Sequence, residues 1–144
     1  MKRKSQITRN KSQKRKAKRK QKNQLLENQN KIYDLEERTA LFAERVRNFC
    51  LKLPKNAVNT EYIPQLLRSG SSPGANYIEA NENIGDKDFK MKIKTCRRES
   101  KESAYWLRLV ITNNSADQEN ERTYLRQKAK EFILIFTAIL KKRE

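Results

Sequence analysis

Hydrophobic positions fall into four blocks, each with helical rather than strand spacing. In the first, Leu35, Thr39, Phe42, Val46, Phe49 and Leu53 alternate steps of four and three, which lays one stripe along a helix. Asp34 and Glu37 form a D-x-x-E start that offers acceptors to a first turn, and Pro54 predicts the end. A second helix is expected to begin between Asn59 and Pro64. A third opens with Gly85 as breaker and Asp86 as N-cap, with the stripe Phe89, Ile93, Cys96, Ser100, Ser103, Leu107 and Val110. A turn at "TNNS", 112–115, leads to a fourth, acidic at its start and basic at its end, with the stripe Leu125, Ala129, Phe132, Phe136 and Ile139. Four amphipathic helices joined by short turns predict an all-α, up-down-up-down four-helix bundle.

One stretch challenges this pattern. "SGSSPG", residues 69–74, has the composition of a loop. It matches neither the G-x-x-x-x-G-K-[ST] nor the G-x-G-x-x-G spacing that cradles phosphates. Yet Ile63, Leu66, Leu67, Gly70, Gly74, Tyr77, Ile78 and Ile84 gather on one side at about 100° per residue. The stripe therefore runs through it, and the segment reads as a kinked or distorted part of helix two where Gly70 and Gly74 admit a neighbouring helix. The other reading is a break giving two short helices.

Charge divides the chain differently. Of 34 Lys and Arg, 12 lie in residues 1–24 with no acid, leaving 22 against 17 acidic residues afterwards. So polar a segment cannot offset the entropy of ordering it, so residues 1–31 are expected to be a disordered basic tail and 32–144 the bundle domain. The tail lacks the apolar core of a secretory signal. The longest apolar run, residues 132–140, is far short of the roughly 20 residues a bilayer span needs. No membrane role and a cytoplasmic location are the expectation.

The chain contains no histidine and two isolated cysteines, Cys50 and Cys96. Cys/His metal sites, serine-type triads and histidine acid–base chemistry are not expected, nor is a cofactor, and the chain does not read as an enzyme. A helical ribonuclease with an Arg-x-x-x-x-His motif is the weakest alternative.

Candidate binding residues come from charge and from second faces. Lys14, Arg15, Lys16, Lys18, Arg19 and Lys20 concentrate the tail's charge, while Lys90, Lys94, Arg97 and Lys101, with Lys87 at the edge and Arg108 beyond, share one face of helix three. Both suit phosphate backbones, which attract Lys and Arg without regard to base sequence. The helix-three face also reads as an ordinary solvated one. Opposite the core, Met91, Trp106 and Leu109 on helix three and Leu134 on helix four make a second, partly apolar face. It reads as a subunit interface anchored by Trp106, or as scattered exposed apolar residues.

Arg68, Ser72, Asn76 and Glu79 lie on the side of helix two away from its core stripe. With Asp88-Phe89, Glu99, Glu102 and the Tyr105-Trp106-Leu107 run, they make the chain resemble a family of four-helix bundles encoded in intervening sequences of bacterial large-subunit ribosomal RNA genes. The resemblance covers roughly residues 32–142 and rests on the set of matches. It departs at Pro73, where an aliphatic residue is common, and at Gly74, where proline is common. It implies a homopentamer. Through the related accessory variability determinant of diversity-generating retroelements, it implies binding of nucleic acid, RNA more than DNA, and a reverse-transcriptase-like or RNA-processing partner protein. Arg68, Ser72, Asn76, Glu79, Glu99 and Glu102 are expected to be structural adhesive, with Arg68 paired to Glu102 or Glu99.

Overall fold

The computed structural model describes residues 2–144 and contains four helices: α1 (Lys2–Lys52), α2 (Ala57–Ala80), α3 (Asp86–Leu109) and α4 (Ala116–Lys142). The chain divides into two compact units, Met1–Leu35 and Glu36–Glu144.

The first unit corrects the expectation of disorder. From Lys2 onward it is α-helical, while Met1 lies outside the described residues. Lys, Arg, Gln and Leu are among the better helix formers, and neither Gly nor Pro occurs before Pro54. Adding a residue to an existing helix gains a hydrogen bond without the cost of a new nucleus. For the same reason Asp34 and Glu37 do not start a helix: α1 passes through them.

The second unit is the bundle. Its α1 portion buries Thr39, Phe42, Val46 and Phe49, and Leu53 is buried just past the helix end, the stripe the spacing predicts. Pairings between neighbours run in opposite directions. Gly70 and Gly74 of α2 meet Val46 and Thr39 of α1. Glu79 and Arg68 of α2 pair with Lys92 and Glu102 of α3, and Asp86 of α3 lies 3.0 Å from Arg143, the C-cap of α4. Phe42 of α1 stacks edge-on against Phe132 of α4 at 5.4 Å between ring centroids.

Residues 69–74 are helical, inside an unbroken α2 that also contains Pro64 and Pro73. A Cβ at Gly70 would lie 3.0 Å from Val46 Cγ1, and one at Gly74 would lie 3.1 Å from Thr39 Oγ1. The glycines thus let two helices touch where side chains would hold them apart. Gly70→Leu is expected to destabilise the bundle by about 1–3 kcal/mol through overpacking, despite the gain in helix propensity. A thermal melt of Gly70→Leu at or above the wild-type midpoint would refute the close approach.

Helix ends shift by a few residues. α2 begins at Ala57, ahead of the expected start, because Asn56 caps it by accepting from the Asn59 amide at 2.8 Å. The N-cap of α3 is Gly85, at φ 87°, and Asp86 is its first helical residue. Asn113 and Asn114 take the left-handed conformation (φ 55° and 61°) that lets the 112–115 turn close. Buried Asn59 ties two connections together, donating from Nδ2 to the Pro54 and Ile111 carbonyls and accepting the Ile111 amide at Oδ1. Near the end of α4 the core residue is Leu140, with Ile139 half-buried. Leu67 and Ile78 of the α2 stripe are exposed, on the rim of the helix contact.

Candidate nucleic-acid interface

In the first unit Lys14, Arg15, Lys16, Lys18, Arg19 and Lys20 are all exposed. At about 100° per residue they surround the helix instead of forming a stripe, so any one surface reaches only part of the charge. The unit's exposed apolar side chains are Leu25, Leu26, Ile32 and Tyr33, with Ile7 nearer the start.

In the bundle the packing pairs several glutamates with cations of neighbouring helices. Glu99 and Glu102 lie on the α2 side of α3, 3.7 and 3.5 Å from Arg68. Glu121 is held by a bidentate contact with Arg45 of α1 (2.9 and 2.8 Å), a hydrogen bond that raises the Arg45 pKa. The Arg45 guanidinium also covers the Tyr124 ring at 3.6 Å. Glu131 likewise pairs with Arg38 of α1 and with Lys128. A cleft of about 530 Å³ between the last turns of α1 and the first turn of α4 therefore has Arg45 and Glu121 committed to each other on its wall.

The opposite flank, where α3 meets α4, has ion pairs at its two ends and unpaired cations between them. Lys90 pairs with Asp86 at 3.1 Å. Among the described residues Lys94, Arg97 and Lys101 have no acid within 4 Å. Arg122 donates to the Leu107 and Arg108 carbonyls, both at 2.9 Å, and closes the C-terminal end of α3. Its partner Glu119 also accepts from Thr112, which is the chief cause of its lowered pKa. Arg126 and Lys130 follow Arg122 at successive steps of four and pair with no acid among the described residues. Sequence reading missed these two. Their signal in the sequence is the 122-126-130 spacing, which lies off the apolar stripe of α4.

The polar set on α2 is internal. Asn76 Nδ2 donates to Ser72 Oγ and to the Ser72 carbonyl, both at 2.9 Å, and Glu79 pairs with Lys92. Arg68 joins Glu99 and Glu102 to Gln65, whose Oε1 accepts from it at 2.8 Å.

On the second faces, Met91 and Leu134 are exposed (56% and 70%), while Trp106 and Leu109 are half-buried. Trp106 packs between Tyr62 and Tyr105, at 5.6 and 5.1 Å between centroids. Its Nε1, with Glu99 Oε2 and Glu102 Oε2, is shielded from solvent without a hydrogen-bond partner.

Cys50 and Cys96 are free and buried, and burial pushes each thiol up to about 12, far from a reactive thiolate. Among the described residues no cluster of Cys, Asp or Glu could hold a metal ion, and no helix is long and apolar enough to cross a membrane.

No curated protein is similar to this chain. A solved structure of a protein with unknown function from the S23 ribosomal protein family of Bacteroides thetaiotaomicron VPI-5482 is similar, with 28% identity and a TM-score of 0.61. The match covers 74% of this chain and 97% of that one. Residues 28–137 match the family described as 23S rRNA-intervening sequence protein, over most of the bundle and the helical turns before it. The four-helix fold and this match agree, and the chain belongs to the 23S rRNA-intervening sequence protein family.

Proposed function

We propose that this protein is an oligomeric helical-bundle scaffold that binds nucleic acid, RNA in preference to DNA, and carries out no reaction of its own. The observation that carries the reading is the segregation of charge. Glu99, Glu102, Glu121 and Glu131 are drawn into pairs facing α1 and α2, and Asp86 and Glu119 pair at the two ends of the α3–α4 flank, while the N-terminal helix and Lys94, Arg97 and Lys101 of α3 keep cations free for phosphates. The family's ribosomal RNA association supports RNA as the partner. A cytoplasmic location accords with that partner, as does contact with an RNA-processing or reverse-transcriptase-like protein.

Self-association is supported by the second faces. Met91 of α3 is exposed, and farther along the same helix Trp106 Nε1 is buried without a hydrogen-bond partner, as are Glu99 Oε2 and Glu102 Oε2, whose ion-pair partner is Arg68 at 3.7 and 3.5 Å. Buried polar groups are nearly always satisfied, so a second copy that covers this flank would complete them. A homopentamer is the assembly that resemblance to the family suggests.

Sedimentation of the purified protein with and without total RNA tests the main reading: co-sedimentation that weakens with salt is expected. Its absence would leave a purely structural oligomer. For assembly, light scattering should show a multimer for wild type and a smaller mass for Trp106→Glu. A monomeric wild type, or an unchanged mass in the variant, contradicts the interface.

A further inference from the structure

We infer that the seam between α3 and α4 is a track for one backbone strand of a base-paired nucleic acid, an inference that rests on the nucleic-acid reading above and assigns it a surface. Six cations flank the seam: Lys94, Arg97, Lys101 and Arg108 on α3, and Arg126 and Lys130 on α4. The register is fixed by two contacts, Arg122 on the Leu107 carbonyl at one end and Arg143 on Asp86 at the other. It places Arg126 level with Ser103 and Ala104, between Lys101 and Arg108, and Lys130 level with Glu99.

Four observations select the occupant. First, among the described residues no acid pairs with any of the six. The acids nearest in sequence, Glu99, Glu102, Glu121 and Glu131, are turned toward α2 or α1 by Arg68, Arg45 and Arg38. Second, Arg126 is half-buried and its Nε is sealed from solvent without a partner, so its guanidinium is anchored in the seam and no protein acid neutralises it. Third, the length fits: Lys94 to Arg108 spans about 21 Å at 1.5 Å per residue. That is the axial length of about six base-pair steps of a duplex at 3.4 Å each, over which one backbone strand faces the seam for part of its course. Fourth, the seam offers little aromatic surface to unpaired bases. Phe89, at its end, is covered by Arg143 at 4.1 Å, and Tyr105, the one aromatic exposed near the cations among the described residues, is held edge-on by Trp106 at 5.1 Å between centroids. Unpaired strands are held by stacking on aromatic side chains, whereas a duplex presents phosphates with its bases turned inward.

The test uses the full chain and three probes: a 16-base-pair RNA duplex, the DNA duplex of the same sequence, and a 16-nucleotide oligouridylate. Wild type is compared with Arg126→Gln/Lys130→Gln and with a control, Arg47→Gln/Lys55→Gln, which removes two exposed cations from elsewhere on the bundle. Loss of two phosphate contacts should lower affinity for both duplexes about tenfold and reduce the log–log salt slope by about two. The control pair, and the single strand with either pair, should change less than about threefold. Equal losses from the two pairs, or a loss confined to oligouridylate, would overturn the track while leaving nucleic-acid binding in place. A wild type that binds none of the probes would remove both.

Discussion

Removal of residues 1–24 is expected to lower RNA affinity about a hundredfold at moderate salt and leave the bundle folded. The segment carries 12 cations and no acid. Because it is helical and its charges surround the axis, about half of them can face one polyanion at a time, or about six phosphates. Six contacts give a log–log salt slope near −5, so the full-length protein should lose about a thousandfold in affinity between 50 and 200 mM salt. Several such helices on one oligomer would raise apparent affinity further through effective concentration. Sequence preference should be slight, since residues 1–24 contain Asn and Gln but no aromatic side chain. A filter-binding titration across salt concentrations measures all of this. Salt-independent binding, or full affinity retained by the truncated chain, would refute it.

Phe132→Ala should cost the bundle about 3–5 kcal/mol, a large share of the roughly 5–15 kcal/mol that holds a domain together. Phe132 is 1% exposed and sits where α1 meets α4. It meets Phe42 edge-on and Phe136 at 6.3 Å, and the Arg38 guanidinium lies over its ring at 5.7 Å. Truncation therefore removes buried apolar area, an aromatic pair and a cation–π contact, and leaves a cavity between packed helices. Leu134→Ala, two residues away and 70% exposed, should change monomer stability by less than about 0.5 kcal/mol. Urea unfolding of both variants separates core from face. A loss below about 1 kcal/mol in Phe132→Ala would mean that the α1–α4 contact is not as described.

The proposed self-association and nucleic-acid binding would make separable demands on the bundle. The flank with Trp106, Glu99 and Glu102 faces α2, whereas the seam cations lie toward α4. Trp106→Glu should therefore change assembly without removing a seam cation, and Arg126→Gln/Lys130→Gln should do the reverse. Avidity would link the two proposed properties, because a smaller oligomer would present fewer basic helices to one polyanion.

What the amino-acid order determined by itself is the bundle: its helix count, its core stripes and the passage of α2 through residues 69–74. Apolar periodicity at 3.6 residues per turn is local information, and a glycine–proline run does not cancel it when Leu66, Gly70, Gly74 and Tyr77 keep the register. The state of residues 2–31 was not legible from composition. Low hydrophobicity argues against a packed core, but helix propagation needs none once the following segment is helical. Helix ends moved by a few residues because caps such as Asn56 compete with proline signals over the same short stretch. Only the tertiary structure decided which charges are spent. Arg45, Arg68 and Arg38 look no different in sequence from Arg97 and Arg126, yet antiparallel packing brings the first three to glutamates on neighbouring helices and leaves the other two without one. Ion pairing depends on distances of a few ångströms between residues as many as 93 positions apart in the chain, and those distances exist only once the helices have packed.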